Sequence, residues 1–359
     1  MQPRAHQIGI SLALLTALAL AAMLIRNRIN PAASPPLFER TWPVMGTFMT
    51  LSISGNAVEQ ADQIHRQTQQ ILQDLNQRLS VYHADSEISQ LNRSAVPVHI
   101  SEPTQSILRL IQEYVDKTDG AFDPTILPLI KLWGFSGGEH PAEIPTAAMI
   151  AQAQGNTGID KLQLQPGTAG FTEPGISIDL GAIAKGYAVD RCYAAIVAAY
   201  PAADIIFNLG GDIRIHGQAT AARPWRIGVK HPFDKTRIIG ALQLSSGMAV
   251  TTSGNYERFV TIAGRRFAHI IDPVSGMPVE GMAAVTVISP TATEADALAT
   301  ALFVRGIDKA GAILQRFPNS SAMLIPDNDQ LQIYVCPGFR SLFTPLPEYA
   351  GKIQALPAN

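Results

Sequence analysis

Cysteine is almost missing from this chain: Cys192 and Cys336 are the only two in 359 residues. That excludes a disulfide framework and any multi-cysteine zinc or iron–sulfur centre. Neither charge is in surplus, since 27 Lys and Arg face 29 Asp and Glu, so the chain is not built to hold a nucleic-acid backbone. Charged residues make up only 16% and aromatic ones 7%, yet 47% are hydrophobic, enough for a large core and too many for a mainly disordered protein. Three signatures are absent as well. Without G-x-G-x-x-G, G-x-x-x-x-G-K-[ST] or G-x-S-x-G, the Rossmann, P-loop and serine-hydrolase readings fail. What is plentiful is turn chemistry: 28 glycines and 25 prolines argue against a helical bundle. At about 100–200 residues per domain, the length allows two domains or one large α/β domain.

Ile8 to Ile25 is an uncharged apolar run, preceded by Arg4 and followed by Arg26 and Arg28. It is long enough to span a bilayer as an N-terminal hydrophobic helix, while Ala17-Leu18-Ala19 and Ala19-Leu20-Ala21 offer signal-peptidase spacing. A retained anchor and a cleaved signal are both open, and a lipoprotein anchor is excluded because no cysteine precedes Cys192. Residues 1–36 are therefore set aside as anchor or signal plus the linker Asn30–Pro36. A catalytic domain is expected over 37–345 and a C-terminal tail over 346–359.

Thr47–Ser54 alternates as a strand does, and the spacing of Ala61, Ile64, Ile71, Leu75 and Leu79 predicts a long amphipathic helix. Ser101–Lys117 reads as a second helix, stopped by Gly120. A strand is expected at Ile176–Asp179, then a helix over Ala182–Tyr200 and a strand at Asp204–Phe207. Strands around 225–229, 238–244, 257–263, 266–271 and 283–288 are joined by short turns, so they should pair antiparallel. Two helices (293–305 and 308–316) and a strand near 331–335 close the chain. The expected class is α+β (mixed α/β), a largely antiparallel sheet with packed helices.

Chemistry concentrates in a few windows. In SIDLGAIAKGYAVDR a strand ends at Asp179, Gly181 turns and a helix opens at Ala182, which suits a phosphate at the helix N-terminus with Lys185 adding a point charge. An ordinary strand–helix connection with an exposed lysine would look the same. Asn208–Asp212 (NLGGD) is either a place for a flat ligand to approach the backbone or a tight hairpin turn into Ile213–His216. Asp296 and Thr300, stacked at i and i+4, offer hard oxygens for Mg²⁺; acidic capping of a helix that opens at Thr293, with a back-bonded threonine, is the plainer reading. His269, beside a turn carrying Asp272, has the chemistry for proton transfer near neutral pH, though a lone histidine is more often structural. Tyr82 and Phe122 are either ring-stacking platforms or core aromatics.

Taken in order, eight stretches resemble the FAD:protein FMN transferases, the ApbE family. They are MGT (45–47), LSVYHADSEISQLN (79–92), GAFDPT (120–125), SIDLGAIAKGYAVD (177–190), NLGGD (208–212), TSGNYER (252–258), HIIDPVSG (269–276) and ADALATAL (295–302). The resemblance implies FAD as substrate, Mg²⁺ as metal, and transfer of the FMN half of FAD onto a Thr or Ser hydroxyl of an acceptor flavoprotein, with AMP released. Flavin and adenine contacts then fall to Met45, Tyr82, the backbone of Ala121, Phe122 and Asp123, Asp179, Lys185 and Ile271. The metal falls to Asp296, Thr300 and an oxygen of residue 182, here Ala182 and so its carbonyl. Ala299 stands where some members carry a second acid. His269 and Lys185 take the catalytic roles. The implied partner carries an Asp-x-x-Thr-(Ser/Gly)-(Ala/Gly)-Thr stretch, as in respiratory flavoproteins. No such stretch occurs in this chain. The implied place is the inner membrane with the domain facing the periplasm or cell exterior, or the periplasm after signal cleavage. An FAD pyrophosphatase and a non-catalytic FAD-binding protein are the alternatives.

Overall fold

The computed structural model describes residues 37–136, 141–217, 225–328 and 330–357. The run Ile8–Ile25 lies outside them, and among the described residues no helix is long and apolar enough to cross a membrane. Strands β1 (Leu37–Val44) and β2 (Thr47–Ser54) come first, followed by helices α1 (Ala61–Leu79), α2 (Glu87–Arg93) and α3 (Glu102–Lys117). Helix α4 (Ala184–Ala199) precedes β3 (Asp204–Leu209), β4 (Asp212–His216), β5 (Ala249–Gly254) and β6 (Met282–Ser289). Helix α5 (Ala292–Leu314) leads to β7 (Ser321–Pro326), β8 (Ile333–Val335) and β9 (Ile353–Ala355).

Among the described residues these nine strands form one sheet whose spatial order is the chain order. From β2 to β8 each pairs antiparallel with the next, and β9 closes the sheet parallel to β8. Helices cover one face. Helix α1 buries Ala61, Ile64, Thr68, Leu72, Leu75 and Leu79 in one stripe and packs on α4. Helix α4 lies on β3 and β4, and α5 on β5 and β6. On the other face a three-stranded antiparallel sheet (Trp225–His231, Asp234–Leu244, Phe343–Pro345) buries Val229, Leu242 and Phe343 against Ala284, Ile288 and Met323. Strand β6, MAAVTVIS, is thus covered on both sides and buried along its whole length.

Where α4 crosses α5 the backbones nearly touch, and Gly186 makes that possible. A Cβ there would lie 2.2 Å from the Ala292 carbonyl oxygen and 2.9 Å from Asp296 Cβ. Gly186→Ala is therefore expected to cost about 3 kcal/mol, the upper end of ordinary overpacking, because the obstacle is backbone. A clear fall in Tm checks this, and an unchanged Tm would contradict the crossing.

Three expectations need correction. Residues 176–179 are not a strand beyond one bridge from Ser177 to Ile126, because Asn92 takes both the N–H and the carbonyl of Ile178 at 2.8 Å, and Asp179 N–H goes to Pro124. The following helix begins at Ala184, not Ala182. The two closing helices are present as expected, since non-helical backbone at Gly306 (φ 70°), a conformation that favours glycine, divides α5 between them. Residues 347–355, within the expected C-terminal tail of 346–359, join the sheet: β9 pairs with β8, and Tyr349 is buried.

Candidate active site

Two turns lie side by side at one end of the large sheet. Met45-Gly46 joins β1 to β2 with both residues at positive φ, and Gly210-Gly211 joins β3 to β4 likewise. Gly210 comes so close to Thr47 that a Cβ would meet its Oγ1 at 2.6 Å. NLGGD is thus the hairpin turn, with Asn208 Oδ1 accepting the Gly211 N–H at 2.9 Å. Asp212, the first residue of β4, leaves that turn and buries its carboxylate.

The N-terminus of α4 meets it. Lys185 Nζ lies 3.1 Å from Asp212 Oδ2 and 3.3 Å from Asp296 Oδ2 of α5, and it donates to the Gly181 carbonyl at 3.3 Å. Asp296 also accepts the Gly186 N–H at 3.1 Å, so the first turn of α4 closes on a side chain of α5 and bypasses the Ala182 carbonyl. Burial works against the Lys185 ammonium, but the two carboxylates outweigh it and hold it above its ordinary range. Burial, followed by the charge of Asp296, pushes the Asp212 carboxyl up. Asp190, five residues after Lys185, secures the partner helix: it accepts the N–H groups of Ala292 (2.9 Å) and Thr293 (2.8 Å) and pairs with Arg214 at 2.6 Å. The α4–α5 contact is therefore fixed at the turn that presents Asp296.

A second group surrounds the exposed Arg258. Its carbonyl accepts from His269 N at 3.2 Å and lies 3.3 Å from His269 Nδ1. A carbonyl only accepts, so Nδ1 carries the hydrogen and Nε2 presents a lone pair. Burial, with the Arg258 charge second, lowers this imidazole to about 4. Asp179 Oδ1 accepts the Gly181 N–H at 2.6 Å, and burial pushes its carboxyl up against the pull of that N–H and of Arg258 and Lys185. Tyr82 is 65% exposed, an aromatic face open to a ligand.

The sequence of this chain matches the model of the ApbE family over residues 45–325. It is 32% identical over 316 residues to the FAD:protein FMN transferase of Salmonella typhimurium, covering 86% of this chain and 90% of that protein. The fold matches the crystal structure of the ApbE protein of Thermotoga maritima with a TM-score of 0.78 at 30% identity, over 86% of this chain and 99% of that one. The flavin transferase ApbE of Vibrio cholerae gives 0.76 at 28% identity, over the same shares. The chain belongs to the ApbE family.

In this ApbE chain the expected site residues divide into two sets. Lys185, Ala182, Asp296, Asp179, His269 and Tyr82 lie in the polar clusters or the turns that border them. Met45 sits in the adjoining β1–β2 turn, where Gly46 approaches Arg258. The side chains of Ala121 and Phe122 are core, so only backbone is left to meet a ligand there. Asp123 turns inward to the N–H (2.9 Å) and hydroxyl (2.7 Å) of Thr125, and burial pushes its carboxyl up. Ile271 is buried in a small cluster with Trp133, Val260 and Phe267. The Thr300 hydroxyl donates to the Asp296 carbonyl at 3.4 Å, the back-bond of the plainer reading.

The donor set fits a divalent cation. Two buried carboxylates share one ammonium. No group of three His, Cys, Asp or Glu converges among the described residues. A hard ion here would take the Asp296 carboxylate plus the Ala182 carbonyl, and complete its shell with phosphate and water oxygens, as Mg²⁺ does. Asp212 and Asp190 are the residues that sequence reasoning passed over. Both close a quoted motif, NLGGD and SIDLGAIAKGYAVD, and the terminal acid was the available signal.

Proposed function

We propose that this chain is an FAD:protein FMN transferase, moving the FMN half of FAD onto a Thr or Ser hydroxyl of an acceptor flavoprotein. The hydroxyl oxygen attacks the FMN-side phosphorus, the P–O–P bond breaks, and AMP leaves with the bridging oxygen while the hydroxyl gives up its proton. Such a transfer is mostly positioning and charge neutralisation. The Lys185–Asp212–Asp296 cluster at the start of α4 carries the reading, because it joins a cation, oxygen ligands and a helix N-terminus at one point.

Asp296, the Ala182 carbonyl and Thr300 would hold Mg²⁺, which when bound would supply positive charge to the pyrophosphate. Lys185, in the first turn of α4, binds the same phosphates at the positive end of the helix. Tyr82 stacks on a ring of FAD, with Asp179 and the Met45 turn beside it. His269 Nε2 accepts the proton of the incoming hydroxyl, while its Nδ1–H stays on the Arg258 carbonyl. The same reading takes Ile8–Ile25 as an inner-membrane anchor or export signal, with the domain outside the cytoplasm, and the acceptor as a protein carrying the Asp-x-x-Thr-(Ser/Gly)-(Ala/Gly)-Thr stretch.

Product analysis tests it. With FAD, Mg²⁺ and an acceptor, AMP should form in equal amount to protein-bound flavin. AMP matched by free FMN would make the chain an FAD pyrophosphatase, and FAD bound but unconsumed would make it a binding protein.

A further inference from the structure

We propose that Asp212 is a positioning residue for Lys185, anchoring the ammonium from beneath and acting on phosphate binding only through it. The inference rests on the reading of Lys185 as a phosphate-binding cation. Asp212 is 1% exposed and meets the lysine from β4, the strand on which α4 lies. Its place is rigid: the Gly210-Gly211 turn before it is tied by Gly211 N–H to Asn208 and by Gly210 N–H to the Phe48 carbonyl at 3.0 Å.

Lys185 is thereby held from three elements. The Gly181 carbonyl, Asp296 and Asp212 supply one acceptor for each ammonium hydrogen. The Asp212 carboxylate also interacts with the Thr251 hydroxyl, and both side chains are buried. Thr251 stands on β5 next to Val250, which pairs with Ile213, so it is abreast of Asp212. A flexible four-carbon side chain with no buried counter-charge would sample many positions, and Asp212 removes that freedom.

The arrangement makes a sign-reversing prediction. Lys185→Met leaves two buried carboxylates facing each other with no cation, which is strongly destabilising. Adding Asp212→Asn to it removes one of them and should raise Tm, whereas Asp212→Asn in the wild-type background should leave Tm level or lower it. FAD affinity gives the second reading, from flavin fluorescence titrations of the full chain. Asp212→Asn should weaken binding by about tenfold, the value of one charge-assisted contact, and should add no loss once Lys185 is Met.

Equal losses of FAD affinity in both backgrounds would overturn the proposal, as would wild-type affinity in Asp212→Asn. If Asp212→Asn does not fold, Thr251→Val replaces it. A loss of affinity only with Lys185 present, rescued by Thr251→Ser, supports the proposal, and a loss independent of Lys185 overturns it. A wild-type chain that binds no FAD would instead sink the transferase reading, while the Tm cycle still reads the Asp212–Lys185 coupling.

Discussion

Asp296→Ala is expected to slow flavin transfer by about three orders of magnitude, equivalent to roughly 4 kcal/mol of barrier, while the protein stays folded and still binds FAD in part. The reason is the charge count around α4. Wild-type chain packs two buried carboxylates around one ammonium, and on the proposed reading Asp296 would also hold the metal. Removing Asp296 leaves Lys185 and Asp212 as a matched pair, so no buried charge is stranded and the fold survives. What would be lost, on the proposed reading, is the metal's carboxylate ligand, together with the acceptor of the Gly186 N–H. Asp296→Asn separates the two, because an amide oxygen still accepts that N–H but carries no charge. Steady-state transfer rates and Tm for both variants check the prediction. If the lost charge is decisive, they should be equally slow and differ in Tm. Full transfer in excess EDTA would remove the metal from the mechanism.

His269→Ala is expected to lower the rate by about a hundredfold or more, the usual share of a positioned general base, and to change FAD affinity little. The pH profile is the sharper reading. Burial lowers the imidazole to about 4, so it is neutral and ready to accept a proton throughout the range from about 5 upward. The acid limb of the transfer rate should therefore fall near 4, not at the ordinary 6.5. The same shift enters stability with a definite sign. Its contribution is complete above 6.5, where both states are neutral, and is lost as pH drops towards 4, because the unfolded chain takes up the proton first. A rate that halves near 6.5, or a His269→Ala variant with wild-type turnover, would take the residue out of the reaction.

Local features were legible in the sequence and long-range ones were not. The stripe of α1 runs from Ala61 to Leu79 as its spacing predicts, since a helix closes its own hydrogen bonds. Strands β2, β3 and β6 lie within a few residues of the expected ones, whereas no local pattern raised β1 or β5 as an expectation. The segment 176–183 misled for the opposite reason. Its backbone partners are Asn92 and Pro124, far away in sequence, and no local pattern announces a side chain that replaces a strand ladder. Lys185 and Asp296 stood out singly, and their motifs brought them into one site. The third member, Asp212, needed the sheet order itself: only when β4 lies between β3 and β5 does its first residue come under α4. Asp190 is similar, because a cap supplied by one helix to another leaves no trace in either helix alone.

Covalent flavin on the acceptor is the most direct test of the transfer reading. The chain is incubated with FAD, Mg²⁺ and an acceptor domain carrying the Asp-x-x-Thr-(Ser/Gly)-(Ala/Gly)-Thr stretch, then denatured and separated by electrophoresis. Flavin fluorescence that stays with the acceptor band, and disappears when the acceptor Thr is replaced by Val, is the expected result. An acceptor band without fluorescence, with all flavin free in solution, would contradict it.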